Sequence, residues 1–169
     1  MNDGFPIEHL GAGLQPDLAK IPRLGEIGLA SFAPYLMNRL MGRYNASFRD
    51  ELSHIGLTTP KMRALAVLAV IDGPLIRELS VYTVVEQSTL SRALDQLATE
   101  GLIRRAGDVA DSRAVRVFIT AEGRAAFDAI WPHMWEAQAR MFRGIPEAEQ
   151  LAFVATLQKM LTNIRKHKI

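Results

Sequence analysis

Apolar residues recur at helical spacing along most of the chain and switch to alternation near residue 102. Over about 25–55, Ile27, Leu36, Leu40, Tyr44, Phe48 and Leu52 recur at four-residue steps or close to them. This spacing predicts one long amphipathic helix, with Pro34 bending it or delaying its start. LTTPKMRALAVLAVI predicts a second helix. Thr59 is expected as its N-cap and Pro60 as its first helical residue; Asp72-Gly73-Pro74 ends it. A short helix follows over 75–80 with Ile76 and Leu79 inward, then a turn over 81–83. Helical spacing resumes over 84–100, where Leu90, Leu94 and Leu97 form one stripe and Gly101 suits the position after the last turn. Segments 102–105 and 115–120 alternate as strands, with a polar loop over 106–114 between them. A long helix is expected over 121–143, capped by Thr120 and kinked at Pro132. Pro146 opens the last helix, with Leu151, Val154, Leu157, Leu161 and Ile164 in its stripe and Arg165, Lys166 and Lys168 at its end. Residues 1–22 read as a Gly- and Pro-containing arm, with one short helical turn around 17–20.

Helix, turn, helix and a two-stranded ribbon in immediate succession describe a winged helix-turn-helix, most often used to place one helix in the DNA major groove. The fold class expected is mainly α with a small β-wing, flanked by N- and C-terminal dimerisation helices. The layout is an arm (1–22), an N-terminal dimerisation helix (23–56), the winged domain (57–120) and C-terminal dimerisation helices (121–169), all in one compact chain.

With the leucine stripe facing the core, Gln87, Ser88, Ser91, Arg92 and Asp95 fall on the opposite face, and Thr89 near the boundary. Gln pairs bidentately with adenine and Arg with guanine or phosphate. The alternative is an ordinary solvated helix face. In the loop, Arg113 sits where a wing arginine enters the minor groove, and Asp111 is placed to orient a nearby arginine. The alternative there is a surface Asp–Arg pair of little energetic weight. Thr58 and Thr59 open a helix whose N-terminus suits a phosphate.

Charge refines this picture without deciding it. The chain of 169 residues carries a net charge of +2. Between Glu86 and Arg116 five basic residues balance five acidic ones, so any DNA face must come from geometric sorting of charge. There are no cysteines, which removes disulfides, thiolate metal sites and thiol redox sensing. The four histidines are scattered without metal-ligand spacing, and neither metal nor cofactor is expected. No apolar run approaches the roughly 20 residues of a membrane span, and the N-terminus lacks the pattern of a signal peptide. A cytoplasmic location is expected. No GxSxG, P-loop or HExxH motif is present, so an enzyme is not expected.

The run GLIRRAGDVADSRAVRVFITAEGRAAF resembles the signature of the MarR (multiple antibiotic resistance regulator) family. Gly101, Arg104, Arg105, Asp111, Arg113, Thr120 and Gly123 match its pattern, and STLSRALDQL resembles its recognition helix. Ala110 stands where the first wing arginine of the family is usual. The resemblance covers roughly 27–165, with its specific motifs in 86–124. It implies a homodimeric transcription regulator, usually a repressor, binding double-stranded DNA and often released by small anionic or aromatic ligands. Carried onto this chain, it makes Arg113 the wing contact, Asp111 its support, and Gln87, Ser88, Thr89, Ser91 and Arg92 groove or phosphate contacts. A winged domain that binds a protein partner instead of DNA is the alternative; it would show apolar residues on that face.

The terminal helices are too apolar to stand alone, so pairing across a two-fold axis is expected, presenting two recognition helices to a pseudo-palindromic operator. A cleft for a small aromatic or anionic effector is expected beside the first long helix, where Tyr35, Arg39, Arg43 and Tyr44 are candidate lining residues. Trp131, His133 and Trp135 are alternatives. The competing reading is that these aromatics are core or interface residues.

Overall fold

The computed structural model describes residues 21–164 except 109, 110 and 112. The helical turn expected at 17–20, the basic cluster Arg165, Lys166 and Lys168, and Ala110 lie outside the described residues. The chain divides into two compact units, Met1–Gly42 and Arg43–Ile169.

In the first unit, α1 (Leu24–Ile27) and a 3-10 turn (Leu29–Ser31) precede α2 (Ala33–Ala46), most of which belongs to this unit. Ile21, Leu24, Leu29, Phe32, Leu36, Leu40 and Met41 are all exposed. The uninterrupted helix expected over 25–55 is therefore broken, and α3 (Arg49–His54) follows α2 as a separate piece. At the later break, Ser47 Oγ donates to the Tyr44 carbonyl. Phe48 leaves helical geometry to become the N-cap of α3 and buries its ring at 1% exposure. Four-residue spacing survives such a break because both pieces face the same core.

The second unit is built on α4 (Thr59–Leu68), which packs against α5 (Ile76–Thr83), α6 (Gln87–Thr99), α7 (Ala121–Met141) and strand β2 (Val115–Ile119). Leu65, Leu68, Leu79, Leu90, Leu94, Leu97, Ile103, Val117 and Ile130 form its centre. The α4 cap is Thr58, one residue earlier than expected, so Pro60 is the second helical residue. Proline costs nothing there because the first four N–H groups of a helix have no intrahelical partner. Strand β1 (Ile103–Gly107) pairs antiparallel with β2, from Ile103↔Ile119 to Gly107↔Val115. The ribbon thus extends two residues beyond Arg105. It is tied to the body by a bridge between Leu75 and Arg116 and by Val117 N–H donating to the Pro74 carbonyl, 3.0 Å.

The end of α6 is set by Gly101 at φ 73°. Gly101 N–H donates to the Ala98 carbonyl and Leu102 N–H to the Leu97 carbonyl, the paired bonds of a Schellman stop. Thr120 then receives Gly123 N–H at 3.0 Å, donates its hydroxyl to the Gly101 carbonyl at 2.8 Å, and starts α7 against that stop. α7 carries Pro132 in its interior without ending. α8 (Glu147–Ile164) completes the chain and has no buried residue.

Candidate nucleic-acid interface

The two helices of the motif meet at a turn displaced from its expected place. Residues 81–83 remain helical in α5, because buried Thr83 returns its hydroxyl to the Leu79 carbonyl at 2.8 Å. The chain reverses instead at Val84, which is left-handed (φ 51°, ψ 45°). Arg63 of α4 reaches across to donate to the carbonyls of Thr83 (3.4 Å) and Val84 (3.2 Å). The recognition helix α6 therefore begins at Gln87. Its cap is the Glu86 carboxylate, which accepts the N–H groups of Ser88 (2.9 Å) and Thr89 (3.1 Å) and the Ser88 hydroxyl. These bonds hold the Glu86 carboxyl below its ordinary value; the Ser88 side chain contributes most, and the Arg92 charge adds to the effect.

Leu90, Ala93, Leu94 and Leu97 are buried, while Gln87, Ser88, Thr89, Ser91, Arg92 and Asp95 are exposed. The first helical turn thus consists of polar side chains facing outward. Asp95 is engaged by Arg105 of β1 at 2.7 Å, and the Ser88 hydroxyl by Glu86. Arg92 has no hydrogen-bond or ion-pair partner among the described residues, which leaves its guanidinium available.

The wing is braced from below by a pair that sequence reasoning missed. The Asp108 side chain is 8% exposed. It accepts Asp111 N–H at 2.9 Å and the Arg116 Nε–H, and Arg116 Nη1 continues to the Gly73 carbonyl at 2.7 Å. Asp111 accepts the backbone N–H of Arg113 at 3.0 Å. The bond expected from Asp111 to an arginine is thus made to the main chain, and the Arg113 guanidinium remains free of described partners. A charged residue in an otherwise apolar strand, Arg116, was the available signal for this bracing.

Arg113 and Gln87 line a recess of about 250 Å³ together with Arg77 of α5, which the sequence reading also missed. Thr58 is exposed and Thr59 half-buried at the start of α4. Of the effector candidates, Arg39 lies over the Tyr35 ring at 5.8 Å to its centroid and donates to its hydroxyl at 3.4 Å. In the second unit Arg43 is exposed and Tyr44 packs edge-on against Phe48, centroids 4.9 Å apart. Burial raises the Tyr44 pKa. Trp131 and Trp135 stack at 6.0 Å, partly exposed, and His133 Nδ1 lies 3.9 Å from Glu51.

The MarR family model matches residues 55–114, from the end of α3 into the wing. A MarR-family transcriptional regulator from Silicibacter pomeroyi is 57% identical, covering 88% of this chain and all of that one, with a TM-score of 0.83. The chain belongs to the MarR family. It is a winged-helix, DNA-binding transcriptional regulator, as the relatives' names also indicate. One is the transcriptional repressor IacR of Pseudomonas putida, 28% identical over 140 residues (83% of this chain, 81% of IacR). Another is BpsR of Bordetella bronchiseptica, a structure described as showing regulation of DNA binding by 6-hydroxynicotinic acid. BpsR is 27% identical, covers 75% of this chain and 96% of its own, and has a TM-score of 0.65. Among the described residues no helix is long and apolar enough to cross a membrane, and no group of three or more His, Cys, Asp or Glu is placed to hold a metal.

Proposed function

We propose that this MarR-family regulator acts in the cytoplasm as a homodimeric repressor of a pseudo-palindromic operator and is released by a small aromatic or anionic effector. The observation that carries the reading is the exposed first turn of α6 beside the free guanidinium of Arg113. Gln87, Ser88, Thr89, Ser91 and Arg92 enter the major groove, and Arg113, supported by Asp111, enters the adjacent minor groove. Ser88 turns its hydroxyl away from Glu86 or stays as a helix-start brace. Thr58 and Thr59 present the α4 N-terminus to a phosphate.

Dimerisation is supported by the apolar faces of α7 and α8. Trp131, Trp135, Leu151, Val154, Leu161 and Ile164 are between 45% and 74% exposed, a pattern that marks an interface on a folded chain. A second copy covering them sets two recognition helices about one helical turn, roughly 34 Å, apart. Repression is supported by the name of IacR and effector release by the description of BpsR. Arg39 beside Tyr35, with Arg43 and Tyr44 further along α2, supplies cationic and aromatic groups for an aromatic acid.

The test is a titration of purified protein on a duplex from its own upstream region, at two salt concentrations, against a scrambled duplex. Tight, sequence-dependent binding that weakens with salt is expected. No binding to either duplex at low salt would overturn the reading. Arg113→Ala and Arg92→Ala should each weaken operator binding by about 1–3 kcal/mol with little change in fold stability. Wild-type affinity in either variant would return that residue to the solvated surface.

A further inference from the structure

The recess between α5, α6 and the wing has a place in a DNA complex that follows from groove geometry. On one side stands Gln87, at the start of the helix assigned to the major groove; on the other stands Arg113, assigned to the minor groove. The wall separating a major from a minor groove is a sugar–phosphate strand. A duplex that admits α6 and the wing together must therefore run one strand through this recess.

Its chemistry suits that strand. Arg77, on the first turn of α5, lines the recess with Arg113. Both side chains are exposed and lack hydrogen-bond or ion-pair partners among the described residues. The lining carries two positive charges against one negative, and that carboxylate, Asp111, already accepts the Arg113 N–H. At the neighbouring helix starts, Glu78 occupies the Leu75 N–H and Glu86 the Ser88 and Thr89 N–H groups. A phosphate entering here is held by guanidinium side chains, which match its oxygens bidentately.

We propose that Arg77 is a DNA-backbone contact, holding the phosphodiester strand that passes between the grooves occupied by α6 and the wing. The inference rests on the DNA reading of these two elements. It gives Arg77 a role distinct from theirs: it adds affinity without choosing sequence.

The test uses the full chain, with Arg77→Ala, Arg77→Lys and wild type titrated over a salt series on the upstream duplex and a scrambled duplex. Loss of one phosphate contact flattens the slope of log K against log salt by about 0.9. Arg77→Ala is expected to show that change and to lose roughly tenfold or more in affinity on both duplexes alike. Its preference between the duplexes should be kept, and Arg77→Lys should restore most of the slope. Thermal unfolding of each variant separates this from misfolding, since an exposed side chain without partners contributes little to the fold. If wild type binds with its full slope and a folded Arg77→Ala matches it, the inference fails while the DNA reading stands. A loss confined to the upstream duplex would also overturn it, making Arg77 a base reader. If wild type itself binds neither duplex, the DNA reading fails and this inference with it.

Discussion

Val84 carries a β-branched side chain into left-handed backbone, φ 51° and ψ 45°, with 80% of its surface exposed. Such a conformation costs an L-residue about 1–2 kcal/mol, and asparagine tolerates it better. Packing returns little of that cost, so Val84→Asn is expected to raise stability by about 1 kcal/mol, read as a higher melting temperature. No gain would show that the Arg63 bonds to the Thr83 and Val84 carbonyls already offset the torsional cost. Gly123 is the opposite case. A Cβ there would lie 1.9 Å from the Leu102 carbonyl oxygen, a backbone atom pinned by the stop of α6. Gly123→Ala should cost about 3 kcal/mol or more in a urea titration. Glu100 gives a third test at this scale. It pairs with Lys61, which is 4% exposed although it is a lysine. Glu100→Gln leaves that ammonium without a compensating charge. Because Glu100 is itself 43% exposed on its side chain, the loss should be about 2 kcal/mol, below that for a fully buried pair.

At the scale of elements, the start of α6 depends on a carboxylate. Glu86 is held below the ordinary glutamate value of 4.5 by the Ser88 side chain and the Ser88 and Thr89 N–H groups. The folded chain therefore binds this proton less readily than the unfolded one. The cap's contribution is full above pH 4.5 and is lost as pH falls through the depressed value. The stability difference between wild type and Glu86→Gln should thus be constant near neutrality and shrink on acidification below 4.5. A difference independent of pH would assign the cap to hydrogen bonding that the amide reproduces. The same helix shows what was legible in sequence. Its buried stripe of Leu90, Leu94 and Leu97 has the period of a helix, so its exposed face followed directly. Its first residue was misplaced by three because Val84 and Val85 extend the apolar spacing, while the cap is a polar contact with no period. The break before Phe48 escaped for a related reason, since spacing records which face is buried and not whether the chain is continuous. Arg113 and Asp111 were legible from their place in a hairpin loop. The Asp108–Arg116–Gly73 bracing was not, because its Arg116–Gly73 bond joins groups 43 residues apart. Arg77 had only the look of a solvated helix residue until the fold set it beside Arg113.

For the whole molecule, the unresolved energetic question is what keeps α8 helical. None of its 18 residues is buried, yet Leu151, Val154, Leu161 and Ile164 are apolar and exposed. An isolated helix of about this length is marginal in water, so the stripe needs a partner. A second copy supplies one of matching chemistry. Obligate dimer interfaces bury on the order of 2,000 Å² or more, enough to take in α8 together with Trp131 and Trp135 of α7. Leu151→Asp combined with Leu161→Asp places two carboxylates in that contact, where desolvating them opposes association. The expected result is a monomer by analytical ultracentrifugation, with reduced helical circular dichroism from a melted α8. The winged core should survive, because neither leucine belongs to the buried cluster around Leu65, Leu90 and Val117. A monomer presents one recognition helix and one wing, so it contacts about half the phosphates. The slope of log K against log salt should fall to about half its wild-type value, and the preference for the upstream duplex should drop with it. A double variant that remains dimeric with an unchanged slope would place the two-fold contact on other elements and leave the exposed stripe of α8 for a different partner.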